Sequence, residues 1–287
     1  MTLLVCHRDD GAVTLLADTR ISGQLGALTD TGPKVLTVPV LVSHGSEAPL
    51  PPVRATFGFA CAGSTLAAMS TYALVSTCLQ SLVTPETPRA PSVASVADLF
   101  RRIGQRYARE VASPFDCFVV GPGEDGGEPR AFSNMSRIED GVLVVVSSEL
   151  DQSRRGLWAL GSGAIPYMRF AQEERPWRTI VESVQAFISA NVDPKVGGHL
   201  QAGTCDADGF APMMTLQLDR EAMSVTSAFL GVGEDELGLI DGLDLGVNAL
   251  GPREAFEPGR FTRRPIEGRD GVYVGYWKSP DVTREEP

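Results

Sequence analysis

Apolar and polar positions alternate from the start of the chain. Residues 2–8 and 12–18 are rich in Val, Leu and Thr, and Asp9-Asp10-Gly11 between them is turn chemistry, so the pattern predicts a β-hairpin. With those three residues as the loop, antiparallel pairing sets Thr2 across from Asp18. Residues 20–33 are rich in Gly, Thr and Asp and read as a loop, and residues 34–42 alternate as a further strand. The stretch "SHGSEAPLPP" (residues 43–52) reads as a surface excursion before another strand over 55–61.

At Ala62-Gly63-Ser64 the period changes from two to about 3.6. Leu66, Met69, Ala73, Ser76 and Leu79 recur at helical spacing, which predicts a helix over 64–82 with a Gly-Ser start suited to its N-terminus. Residues 85–91 form a linker, and Val96, Leu99, Phe100, Ile103, Tyr107 and Val111 mark one face of a second helix. Strands over 115–120, 130–135 and 142–146 follow, and "LWALGSG" (157–163) reads as a strand running into a Gly-Ser-Gly turn. Helices over 164–174 and 178–191 then lead to a closing hairpin, 213–218 with 223–229.

Helices grouped in pairs argue against a Rossmann or barrel plan, where they alternate one-for-one with strands. Two antiparallel sheets stacked face to face, each covered outside by a helix pair, would bury every apolar face: an α+β chain. From Gly231 the chain changes character. "GVGEDELGLIDGLDLG" is acidic and Gly-rich, and the remainder carries Pro, Arg and isolated aromatics. The expected division is a main domain over 1–230 and a C-terminal extension over 231–287, docked through Tyr273, Tyr276 and Trp277.

Composition narrows the function classes. The chain is 43% hydrophobic and 21% charged over 287 residues, which suits a globular protein with a full core. A formal charge of -11 argues against nucleic acid as a partner, because polyanion binding needs clustered Lys and Arg. The five cysteines (Cys6, Cys61, Cys78, Cys117, Cys205) form no C-x-x-C pair, and the three histidines are far apart. They read as small buried hydrophobes in a reducing compartment, with no metal or organic cofactor. Absence of a basic leader or a long apolar span predicts a cytoplasmic chain with no membrane partner.

The candidate chemistry sits at the start. If Met1 is removed, Thr2 carries a hydroxyl nucleophile and a free α-amine, whose ordinary pKa of ~7.7–8.0 suits a general base at neutral pH. Such a nucleophile needs a cation to tune the amine, a carboxylate to hold that cation, and backbone donors for an oxyanion. Asp18, Lys34 and the Ala62-Gly63 turn are the residues of those types nearby. Here the chain resembles the proteasome β-subunit family of N-terminal nucleophile hydrolases. The likeness covers the first 230 or so residues and rests on "TLLVCHRDDGAVTLLADTR", Lys34, "ACAGS" and "LGSG", in that order.

The resemblance implies a four-layer αββα sandwich. It implies that Thr2 is the nucleophile, Asp18 the partner of Lys34, Lys34 the cation, and Gly63 N–H an oxyanion donor. Ser162 would hydrogen-bond near the Thr2 amine, and Asp193 in "NVDPKVGG" would match the family's second acidic residue. Val196 stands where the family places a serine. Ile21, Gly32, Cys61 and Thr65 fall where the family lines its first specificity pocket, which implies a small-to-medium apolar preference. The implied partners are a peptide or unfolded-protein substrate, further copies of the chain in a homo-oligomeric ring or spiral, and an ATP-dependent unfoldase. Two alternatives stay open: a catalytically silent assembly subunit that keeps the sandwich, and a hydrolase of small amides.

Overall fold

A computed structural model of the chain describes residues 2–9, 11–23, 26–45, 50–151, 156–173, 179–219, 224–237, 247–251, 266–267 and 273–276. The opening hairpin is β1 (Leu4–Asp9) and β2 (Ala12–Asp18). Its strands pair Asp9 with Ala12 and Leu4 with Ala17, so the connection is two residues long rather than three. Asp-Gly is the favoured two-residue hairpin sequence, and Gly11 adopts the positive φ of +78° that such a turn requires. The shorter loop shifts the register by one, and Leu3, not Thr2, meets Asp18: Asp18 N–H donates to Leu3 C=O at 3.3 Å.

The expected loop over 20–33 contains a small ribbon, β3 (Ile21–Gly23) with β4 (Gly26–Thr29). The long strands β5 (Val35–His44) and β6 (Val53–Gly63) follow and pair antiparallel. Next come α1 (Thr65–Leu79), a short β7 (Leu82–Thr84) inside the expected helix-to-linker region, and α2 (Val93–Glu110). Ser64 caps α1 by accepting from Ala67 N–H, and Ser92 caps α2 by accepting from Ser95 N–H. Strands β8 (Phe115–Gly121), β9 (Arg130–Glu139), β10 (Val142–Glu149) and β11 (Gly156–Leu160) lead to α3 (Ala164–Glu173) and α4 (Ile180–Ser189). Thr179 and Glu182 form a reciprocal capping box at the start of α4.

The strand β12 (Leu200–Asp206) has no counterpart in the sequence expectation, although it lies between β2 and β13 (Gly209–Asp219). Its segment LQAGTCD carries only three apolar side chains, diluted by Gly and polar residues, so no period stands out. After β13 come β14 (Ser224–Phe229), β15 (Val232–Gly233), one turn of helix (Glu234–Leu237), β16 (Asn248–Gly251), β17 (Ile266–Glu267) and β18 (Tyr273–Tyr276). The described parts of the C-terminal segment join the main sheet through backbone pairing, β16 running parallel to β13 and antiparallel to β18. Trp277 lies outside the described residues.

The strands form a first sheet in the order β11-β1-β2-β12-β13-β16-β18-β17, with β14 and β15 branching from β13, and a second in the order β10-β9-β8-β6-β5-β7. Period two distributes each strand between two cores. Leu4, Cys6, Val13 and Leu15 of the first sheet share a buried cluster with Ala60, Phe118 and Val120 of the second. On the other face, Leu3, Val5 and Leu16 pack with Tyr167 of α3 and Val184 and Phe187 of α4. The far side of the second sheet meets α1 and α2 through Phe59, Val75, Val96 and Phe100, where the rings of Phe59 and Phe100 stack at 4.7 Å. Among the described residues no helix is long and apolar enough to cross a membrane.

Candidate active site

Thr2 stands just before β1 and is 4% exposed. Its carbonyl accepts from Gly163 N–H at 3.3 Å, which ties the start of the chain to the Gly161-Ser162-Gly163 turn. Gly161 has φ +86°, and a Cβ there would stand 2.2 Å from the Thr2 carbonyl oxygen, so the turn can approach this closely only without a side chain. Met1 lies outside the described residues.

One residue further in, the backbone is clamped by a carboxylate. Asp18 Oδ1 accepts from Leu3 N–H at 2.9 Å and from Lys34 Nζ at 2.9 Å. Asp18 Oδ2 accepts from Arg20 N–H at 3.2 Å and from Gly197 N–H at 3.1 Å. Four donors therefore converge on a side chain that water does not reach. Lys34 Nζ also donates to the Arg20 carbonyl at 2.6 Å, leaving one ammonium N–H uncommitted among the described residues.

Burial pushes the Lys34 ammonium below its ordinary value, opposed first by the charge of Asp18 and then by its hydrogen bond. Burial likewise pushes the Asp18 carboxyl upward, opposed by Lys34 and by the Leu3 and Gly197 N–H groups. Each partner offsets the other's desolvation. The site thus holds a cation whose proton is easier to release than that of a surface lysine.

Two supports for this pair had no clear signal in the sequence. Gln201, wholly buried on β12, accepts from both Lys34 N–H (2.9 Å) and Val35 N–H (3.2 Å) and donates to Gly32 C=O (2.7 Å). A polar residue between Leu200 and Ala202 is the only hint the sequence offers. Arg20 forms a two-pronged pair with Asp30, Nε to Oδ1 at 2.7 Å and Nη2 to Oδ2 at 3.1 Å, and reaches Pro194 C=O with Nη1. That pair pins the ribbon against the loop bearing Gly197.

A narrow cleft of about 20 Å³ opens in front of Lys34, lined by Thr2, Ile21, Lys34, Cys61, Gly63 and Thr65, among others. Six of the sequence candidates therefore share one wall-to-wall space. Gly63 ends β6 with φ +95°, and a Cβ there would stand 2.8 Å from the Pro114 carbonyl oxygen. This tight turn feeds α1, whose first turns supply Thr65, Ala68 and Met69 to the cleft, so the positive end of the helix dipole lies beside Gly63. The Cys61 thiol is pushed up to about 12, by burial first and against the nearby Lys34, and so stays protonated at neutral pH.

The other candidates lie elsewhere. Asp18 sits beneath Lys34, outside the cleft wall. Gly32 lies under Ile21, where a Cβ would come within 2.3 Å of the Ile21 side chain. Ser162 is exposed at the tip of its turn. The Asp193 carboxylate accepts from Lys195 N–H at 2.9 Å, and its carbonyl accepts from Val196 N–H, so it closes its own turn. Val196 is buried in the apolar cluster with Leu3 and Tyr167. No group of three or more His, Cys, Asp or Glu placed to hold a metal occurs among the described residues. In comparison with known proteins, no family model and no curated protein matches the chain.

Proposed function

We propose that the chain is an N-terminal threonine hydrolase of the proteasome type, a peptidase acting by acyl transfer after removal of Met1. The observation that carries this reading is the convergence of Thr2, Lys34 and Gly63 on one cleft, with Asp18 holding Lys34 from behind. On this reading the freed α-amine of Thr2 takes the Oγ proton as Oγ attacks the substrate carbonyl. The positive charge of Lys34 keeps that amine neutral enough to serve, and Gly63 N–H with the start of α1 faces the developing oxyanion. The protonated amine then gives that proton to the leaving nitrogen as the C–N bond breaks. Water next attacks the acyl ester, and the amine takes a proton from it and passes it to Thr2 Oγ as the C–O bond breaks and the acid leaves.

The rival nucleophile in the cleft is Cys61, and its protonated, buried thiol favours Thr2 instead. Ile21, Ala68 and Met69 give the cleft apolar walls, which suits a small-to-medium apolar side chain beside the scissile bond. The three clusters, between one helix pair and a sheet, between the sheets, and between the other sheet and the second helix pair, support the αββα sandwich of the N-terminal nucleophile hydrolases. Assembly into rings or spirals served by an ATP-dependent unfoldase belongs to the same proposal.

A second reading, a silent assembly subunit, is favoured by one observation: beside the turn that binds the Thr2 carbonyl, Val196 is buried and apolar and Ser162 is exposed. The deciding experiment is intact mass of protein made without an N-terminal tag, followed by labelling with a β-lactone or epoxyketone probe. Loss of Met1 and modification at Thr2, abolished in Thr2→Ala, is the expected result. Full retention of Met1, or equal labelling of both proteins, would sink the first reading.

A further inference from the structure

Cys61 and Cys117 are direct register partners on β6 and β8. Across the same two strands Ser64 N–H donates to Pro114 C=O at 3.0 Å, so residues 64 and 114 form a hydrogen-bonded pair. Bonded and non-bonded pairs alternate along an antiparallel ladder, which makes 61 with 117 a non-bonded pair. Cys61 N–H accordingly turns to the other neighbour and donates to Lys34 C=O at 3.1 Å. Non-bonded partners stand about 4.5 Å apart at Cα, with their side chains on one face, and a disulfide spans about 4.4–6.8 Å. Both cysteines belong to the cluster beneath α1 and α2.

No other two of the five cysteines are partners in the strand pairings. Cys6 faces Leu15 and Trp158, Cys205 faces Val13 and Phe210, and Cys78 is exposed on α1. Cys61 also lines the cleft, which gives one member of the pair a route to small solutes. On its far side Cys117 pairs with Asn134 of β9, whose buried Oδ1 has no hydrogen-bond partner among the described residues, so this row is a polar seam beneath α1 and α2.

We propose that Cys61 and Cys117 are a closable dithiol, an oxidation site at which a peroxide entering the cleft forms a cross-strand disulfide. The Cys61 sulfur attacks one peroxide oxygen; the O–O bond breaks, a sulfenic acid forms and one water leaves. The Cys117 sulfur then attacks the Cys61 sulfur, the S–O bond breaks, and the second water carries away the Cys117 proton. Two thiols are oxidised to one disulfide while one peroxide is reduced to two waters. Because the thiolate is the reactive form and burial keeps both thiols protonated, closure is slow and needs sustained exposure. The oxidised cleft loses a free thiol from its wall and gains a cross-link two residues before Gly63.

The test uses the full chain carrying Cys78→Ser, exposed to hydrogen peroxide, then denatured, alkylated and weighed. The expected product is about 2 Da lighter when weighed before alkylation, carries two fewer alkyl groups after it, and yields a non-reduced peptide joining Cys61 to Cys117 that thiol reductant separates. In a Cys117→Ala variant, oxidation stops at Cys61 and the sulfenic acid is trapped by dimedone. Retention of both thiols under conditions that oxidise Cys78 of the unsubstituted chain overturns the proposal, as does linkage of Cys61 to any other cysteine. None of these readouts depends on hydrolytic activity.

Discussion

The two flanks of Thr2 are built from different materials. On one side a carboxylate with four donors, a buried ammonium and a glutamine bound to three backbone groups make a charged network. On the other, contact is made by backbone alone, Gly163 N–H to the Thr2 carbonyl, over an apolar floor containing Val196. The charged flank fixes Lys34 and the strand entering β1, so its loss is felt in stability first. The backbone flank fixes where Thr2 itself lies, so its loss is felt in reactivity. The comparison separates what the fold needs from what the proposed chemistry needs.

Asp18→Ala tests the charged flank hardest. It strands a buried ammonium and three N–H groups, and a loss of about 3–5 kcal/mol in urea unfolding is expected. Combining Asp18→Asn with Lys34→Met removes both charges and should cost less than Asp18→Ala alone. A double variant no more stable than the single would show that the pair's charge is not the issue.

On the backbone flank, Gly161→Ala forces a Cβ into the Thr2 carbonyl at a positive φ, at a cost of about 1–3 kcal/mol. Labelling of Thr2 by a β-lactone should fall more steeply than stability. Unchanged labelling would show that the turn does not position Thr2.

Val196→Ser sharpens the contrast by giving the apolar flank a hydroxyl. A stability loss of about 1–2 kcal/mol from burying that group is expected, with faster labelling of Thr2 if support around the amine limits it. Slower labelling would mean that apolar packing, not a missing hydroxyl, matters there.

The smallest effect concerns the rim of the charged flank. The Arg20 side chain donates to Asp30 and holds its carboxyl below the usual carboxylate value. The stability this contributes is present above the unfolded pKa of about 4 and is lost as pH falls through the lower folded value. Asp30 is partly exposed, so the acid-side loss should be under about 1 kcal/mol and absent in Asp30→Asn.

Much of this was legible in the sequence, for physical reasons. Long apolar periods located α2 and α4 and most long strands, because each buries a full face. The helix α1 lies where expected but turned, with Leu66 and Ala73 exposed and Ala67, Ala68, Thr71 and Val75 buried, since its Ala-rich sequence is apolar on every side. The register of the first hairpin was misread by one, since Asp9-Asp10-Gly11 allows two loop lengths and only pairing energy chooses. The strand β12 and its Gln201 were illegible, because a strand flanked on both sides takes its order from neighbours rather than from its own composition. Among site candidates, Thr2, Lys34, Cys61 and Gly63 converge on the cleft, with Asp18 behind Lys34. Asp193 and Ser162 were placed by resemblance alone and lie in turns of their own.

The hydrogen bond from Gly197 to Asp18 spans 179 positions of the chain. During synthesis, β1 and β2 emerge early, yet their neighbour β12 is among the later strands to be made. Topology of this kind folds slowly, since distant partners must wait for one another. A ribosome-bound fragment ending before Gly197 lacks both Gly197 and Gln201, and with them part of the clamp on Asp18 and the seat of Lys34. Translation thus acts as a timer, and the cleft takes its final form only once Gln201 has been made.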